Sequence, residues 1–200
     1  MTRQTQAPLT PLPTSFAFWS IDEYTNRIRR GEMALDTPYQ RGRRWTDDQR
    51  VDLMRSWLQG VPIPAVVLNE RYGAAWRDNG CDAHVTYAVV DGRQRLETAL
   101  AWQDGDLAIP SSWLPADWVR TAQDTDDGPY VRVTGLRSPH RVARLMDLPC
   151  VRARVDTVAD EAAIYLLING AGTPHTDADL DRAARIADTR AYPPCSGPTR

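Results

Sequence analysis

The chain has 200 residues and 22.5 kDa of mass, enough for one ordinary domain with a real core. With 42% hydrophobic and 25% charged residues it has a globular composition, which excludes wholesale disorder, and no apolar run approaches the roughly 18 residues a membrane span needs. All 24 basic residues are arginine, so a Walker A phosphate loop, Schiff-base chemistry and nucleases that depend on an active-site lysine are excluded as usually built.

In chain order, residues 1–14 are polar and proline-spotted, without the pattern of a signal peptide, and are expected to form a flexible tail on a cytoplasmic protein. A first helix is predicted from the cap Ser20, with Ile21, Tyr24 and Ile28 on one face, to Gly31. Pro38 to Trp45 is an arginine-rich loop. Thr46 and Gln49 form a capping box for a second helix, with Val51, Met54, Trp57 and Leu58 on its apolar stripe and Gly60 at its end. Ala65 to Leu68 and His84 to Val90 read as buried strands, and Arg93 to Gln103 as a helix. The acidic stretch Asp104 to Asp127 is turn-rich, with Trp113 and Trp118 tucking it down. Further strands are predicted at Tyr130 to Val133 and Cys150 to Val155, with a short helix from Pro139 to Met146 between them. Thr157 caps a helix through Leu167, Asn169 to His175 forms a loop, and Thr176 caps a last helix toward Ala187. Residues 15–190 are expected to form a single domain and 191–200 a second flexible tail. Strands and helices intermix without strict alternation, so the class is α+β.

Charge and thiols narrow the chemistry. The net charge of −2 does not advertise nucleic-acid binding. Its distribution is uneven: Arg27 to Arg55 carries eight arginines against five acids, and Arg132 to Arg154 six against one. The acids are mostly aspartate, and codon usage in a G- and C-rich genome would produce this bias toward arginine and aspartate. Cys81, Cys150 and Cys195 are an odd number at long spacings, which argues against a disulfide scaffold and fits a reducing compartment. The absence of Cys-x-x-Cys and of clustered histidines argues against a structural zinc site and a His-metal nuclease finger, so no metal ligands are assigned from the residues.

Three segments can carry chemistry. The strand ending in Tyr87-Ala-Val-Val90 runs into Asp91-Gly92-Arg93-Gln94-Arg95. There Gly92 allows a sharp turn, and the free N–H groups of the following helix start favour an anion. Arg93 and Arg95 supply planar forks that suit phosphate, or else pair with neighbouring acids such as Glu97. Pro38-Tyr39-Gln40-Arg41-Gly42-Arg43-Arg44-Trp45 interleaves aromatic and amide groups with arginines, a composition that stacks a base and holds phosphates, or simply anchors the loop. Asn169 to Pro174, with Gly170 and Gly172, permits unusual backbone angles near a site, or forms a plain interhelical turn.

Together with Gly60 to Pro64, these motifs stand in a recognisable order: Pro-x-Gln-Arg-x-x-x-Trp, Gly-x-Pro-Ile-Pro, Asp-Gly-x-Gln-Arg and Asn-x-x-Gly-Thr-Pro. From about Trp19 to Leu180 the chain resembles the N-terminal domain of GmrSD-type modification-dependent restriction proteins, within the ParB/sulfiredoxin-like superfamily. The resemblance implies a small mixed sheet flanked by helices, with additional C-terminal helices. It also implies nucleoside triphosphate binding and hydrolysis, linked to recognition of foreign or modified DNA in antiphage defence. Carried over, the nucleotide-serving turn is Asp91, Gly92, Gln94 and Arg95, with Gln40 and Arg41 nearby. Arg93 departs from the family's glutamine at its position.

On this reading Asp91, Gln94 and Arg95 are the candidate catalytic residues. Tyr39, Gln40, Arg41, Arg44, Gly92, Arg93, Asn169 and Gly172 are the candidate nucleotide-binding residues. Arg41, Arg44, Arg93 and Arg95 would clamp phosphates, Gln40 and Gln94 would orient a water, and Tyr39 or Trp45 would stack the base. Asp91 would either hold a magnesium ion or fix Arg95. The expected partners are nucleotide, DNA and a separate nuclease subunit, because relatives usually continue into a His- and Asn-bearing nuclease domain that is not seen here. The competing readings are a non-catalytic DNA-binding module using Arg132 to Arg154, and a ParB-like DNA-nicking nuclease.

Overall fold

The first strand of the fold was not visible in the residue pattern. In a computed structural model that describes residues 8–40, 45–78, 81–169 and 185–186, β1 (Thr14–Trp19) forms one edge of the main sheet. It is followed by α1 (Ile21–Arg29), β2 (Met33–Ala34), α2 (Asp47–Leu58), β3 (Val66–Glu70), α3 (Ala74–Asp78), β4 (Tyr87–Asp91) and α4 (Arg93–Asp104). Then come β5 (Ala108–Pro110), β6 (Gln123–Thr125), β7 (Gly128–Arg132), α5 (Pro139–Ala143), β8 (Leu148–Ala153) and α6 (Val158–Asn169).

The mixture is α+β, as expected. The main sheet has the order β1-β8-β3-β4-β2. Its β1/β8 and β3/β4 pairs are antiparallel, and its β8/β3 and β4/β2 pairs parallel. A smaller antiparallel sheet has the order β5-β7-β6.

The helix ends follow local chemistry. Ser20 Oγ accepts from the Glu23 amide, and Thr46 and Gln49 form the reciprocal capping box. Thr157 Oγ1 accepts from the Asp160 amide at 3.0 Å. The predicted strand from His84 starts later, at Tyr87. His84 sits instead in a turn, where its amide donates to Asp82 Oδ1 at 2.9 Å and its ring meets the Arg30 carbonyl at 2.6 Å. Within the acidic stretch, Trp113 and Trp118 end two short 3-10 turns and pack against the core as expected, but β5 and β6 were not anticipated. The helix predicted from Thr176 to Ala187 lies largely outside the described residues.

Period-two alternation in the strands builds a core on each face of the main sheet. One face gathers Val66, Leu68, Val89 and Cys150 against Tyr24 of α1, Trp57 of α2, and Leu96 and Trp102 of α4. The other face gathers Val90 and Ala153 against Tyr39, Trp76, and Val158, Ala162 and Tyr165 of α6. Cys150 is free and buried.

Candidate functional site

The C-terminal end of β4 is where described residues of two motif segments, 38–45 and 91–95, meet. Gly92 adopts φ 101°, a left-handed conformation that turns the chain from β4 into α4. A Cβ there would lie 3.0 Å from both Val66 Cγ2 and Arg95 Nη2, and 3.2 Å from Val66 Cα. Glycine is therefore demanded by packing as well as by φ. The β3/β4 register shifts between Val67 and Leu68, opposite this end of β4, as a bulge does where a strand is re-aimed.

Three contacts join the residues that flank 41–44 to this turn. The Trp45 amide donates to Gln94 Oε1 at 2.9 Å. Arg93 Nη1 meets Asp36 Oδ1, just before the loop, at 2.9 Å. Gln40 Nε2 donates to the carbonyls of Val89 and Val90 at 2.8 and 2.6 Å. Gln40 and Trp45 thus adjoin the α4 start, where Gly92 provides no side-chain cap and the first N–H groups have no intrahelical partner.

Several side chains have different duties from those expected. Tyr39 is 1% exposed, so it cannot stack a base. Its ring packs 5.8 Å from that of Tyr165, and its hydroxyl donates to Glu161 Oε2 at 3.2 Å. Gln40 is buried, and its amide is spent on strand carbonyls rather than directed at a water. Arg93 is held by Glu97 (2.7 Å) and Asp36 (2.9 Å), the pairing alternative to a free phosphate clamp. Burial opposes its charge, but the hydrogen bonds to Glu97 and then Asp36 outweigh that and raise its pKa. Asn169 Nδ2 donates to the Tyr165 carbonyl within its own helix. Arg41, Arg44 and Gly172 lie outside the described residues.

Arg95 and Asp91 form an i,i+4 pair with Nη2···Oδ2 of 2.6 Å, and the same Nη2 donates to the Ala65 carbonyl at 3.1 Å. Arg95 Nε is buried without a partner, so this guanidinium retains donor capacity. Of the two roles considered for Asp91, its geometry fits that of fixing Arg95.

Beside the site lies a buried network outside the sequence motifs. Glu161, 0% exposed, accepts from Arg71 Nε at 2.8 Å and Nη2 at 2.6 Å, and from Asn69 Nδ2 at 2.8 Å. The signal was present: an acid inside the apolar run of α6, and Asn69-Glu70-Arg71 closing an otherwise apolar strand.

A family model described as "GmrSD restriction endonuclease, N-terminal domain" matches residues 21–128. That span holds the loop, the Asp91–Arg95 turn and α4, while β1, β8 and α6 fall outside it. Neither curated proteins nor solved structures give a match.

Proposed function

The chain belongs to the GmrSD restriction endonuclease N-terminal domain family, and from that premise we propose that it is the nucleotide-binding, triphosphate-hydrolysing sensor of a modification-dependent restriction or antiphage defence system. The observation that carries this reading is the Trp45–Gln94 contact, because it sets the residue that follows 41–44 against an uncapped helix start. Backbone N–H groups of Arg93, Gln94 and Arg95 would receive a phosphate oxygen, and the helix dipole would favour its charge.

The roles narrow accordingly. Arg95, oriented by Asp91, is the guanidinium that meets the transferring phosphate, while Arg93 positions the loop through Asp36. Gln94 spends its carbonyl oxygen on Trp45, and on this reading its amide donors would meet the ligand. Asp91 is not assigned a metal, and no step passes through one.

Phosphate release from ATP, GTP and CTP by the purified chain, alone and with DNA, tests this. Release that depends on nucleotide and is lost in Arg95→Ala, with the circular dichroism of that variant unchanged, is the expected result. Equal rates for the two proteins would remove the assignment. A nucleotide-dependent thermal shift is the faster companion measurement.

A second reading, a phosphate-backbone DNA-binding module, draws on Arg132 and Arg137. Their guanidinium groups hydrogen-bond main-chain carbonyls (Gly105 at 2.6 Å, Val119 at 3.3 Å). These bonds hold the groups without cancelling their charge. On that reading DNA affinity falls steeply with salt and persists without nucleotide.

A further inference from the structure

At the opposite end of β4 from Asp91 lies an open cleft of about 560 Å³ that the nucleotide reading does not use. The β3/β4 register sets Glu70 against Tyr87 and Val67 against Asp91. The two ends of the strand are therefore roughly 13 Å apart at about 3.3 Å per residue. The cleft volume falls in the range of small-molecule sites, roughly 300–1,000 Å³.

Two features of the lining are arranged for a ligand. One is a ladder of rings leading from the core to the surface. Trp19 meets Tyr87 edge-to-face at 5.4 Å, and Tyr87 meets Tyr72 in the same way, also at 5.4 Å. Arg27 lies 5.1 and 5.2 Å from the Trp19 and Tyr87 ring centres and fixes the inner part of the ladder. Tyr72 is the outer rung, 49% exposed, and lines the cleft. Its ring is thus held in orientation while half its surface stays open.

The other feature is cationic. Glu70, with its side chain only 5% exposed, takes Arg152 Nη1 on one oxygen at 3.1 Å and Arg154 Nε on the other at 2.6 Å. One buried carboxylate orients two guanidinium groups, which leaves the trio one positive charge in excess. Arg154 is 70% exposed and spends only its Nε on Glu70, and Arg152 Nε is buried without a partner. Asp156 also lines the cleft.

We propose that this cleft binds a nucleoside monophosphate unit, its ring stacked on Tyr72 and its phosphate held by Arg152 and Arg154. The unit is either a free nucleotide or the phosphorylated end of a DNA strand. The inference goes beyond the triphosphate reading and stands apart from it, since it concerns other residues and requires no hydrolysis.

Calorimetric titration of the full chain tests it, with dCMP, dAMP, inorganic phosphate and a short single strand bearing a 5′-phosphate as separate probes. Wild type should bind the monophosphates or the phosphorylated strand, and inorganic phosphate much more weakly. Arg154→Ala and Tyr72→Ala should each lose affinity by about ten-fold or more, the scale of one charge-assisted contact or one base–aromatic stack. Tyr72→Phe, which keeps the ring, and Arg120→Ala, a charge-matched control distant in sequence, should bind like wild type. Strand binding without free-nucleotide binding, lost in the same variants, supports the proposal with the strand as source. Any of three results overturns it: no binding of either nucleotide probe by wild type, unchanged affinity in both Arg154→Ala and Tyr72→Ala, or inorganic phosphate binding as tightly as the nucleotides. Phosphate release measured on the same Arg154→Ala and Tyr72→Ala proteins keeps a failure here separate from a failure at the α4 turn.

Discussion

The side-chain amide of Gln40 stands in for a missing strand at the edge of Val90. β2 pairs with β4 only at Tyr87 and Ala88, so the carbonyls of Val89 and Val90 would otherwise be left in the interior without a partner. Gln40 supplies both bonds, at 2.8 and 2.6 Å, and thereby fixes the start of the arginine-rich loop against the end of β4. Its contribution to any ligand site is positional.

Replacing Gln40 by Leu should therefore destabilise the fold by about 1–3 kcal/mol, the cost of leaving buried acceptors unpaired. Asn, one methylene shorter, should not restore the stability. Urea denaturation with an unchanged m-value is the measurement. A wild-type midpoint for Gln40→Leu would mean that water satisfies these carbonyls equally well.

Gly92 and Gly60 provide a controlled comparison. Both have positive φ, 101° and 68°, but a Cβ at Gly60 meets nothing within 4 Å while one at Gly92 presses on Val66 and Arg95. Gly60→Ala should cost only the left-handed penalty of about 1–2 kcal/mol. Gly92→Ala should cost clearly more, and should also disturb the Asp91–Arg95 pair. Equal losses in the two variants would show that Val66 yields freely, and that close packing does not dictate the glycine.

The Arg71–Glu161 pair, 5% and 0% exposed at the side chains, is deep enough that its partners cannot be removed singly. Glu161→Gln or Arg71→Met alone should lose about 3–5 kcal/mol, since each leaves polar groups buried without their charge partner. An Arg71→Met/Glu161→Leu double variant should recover much of that loss. Additive losses in the double variant would show that the two side chains do not act as a pair.

What was legible in the sequence followed from how local the causes are. The ends of α1, α2 and α6 are written within four residues by Ser20, Thr46 with Gln49, and Thr157, and each cap is found where it was expected. β1 was hidden because its outward side chains, Phe16 and Phe18, are 78% and 79% exposed, and its pairing partner, β8, is more than a hundred residues away. The site divides in the same way. The Asp91–Arg95 turn is a local motif and was readable, along with the possibility that Arg93 pairs with Glu97. The burial of Tyr39 was not readable, because it depends on Glu161 and Tyr165, which only the folded chain brings beside it. Aromatic and amide residues among arginines look alike whether they face a ligand or close a core.

Alkali should expose the tyrosines that hold the core together. Burial, reinforced by the neighbouring Tyr72, pushes Tyr87 from its ordinary 10.0 up to about 12. Burial and the Cys150 sulfur raise Tyr24 well beyond that, and burial with the Glu161 charge raises Tyr39. In each case the folded state keeps its proton at a pH where the unfolded chain has lost it. The stability these groups contribute is thus complete below pH ~10 and falls as pH rises from there through the folded-state values. Of the seven tyrosines, these three should ionise as the fold is lost. Tyrosinate absorbance followed alongside circular dichroism will show a phase that coincides with unfolding. A single phase near the ordinary tyrosine value, with circular dichroism unchanged, would mean that Tyr24, Tyr39 and Tyr87 are open to solvent and that the two cores are not packed as described.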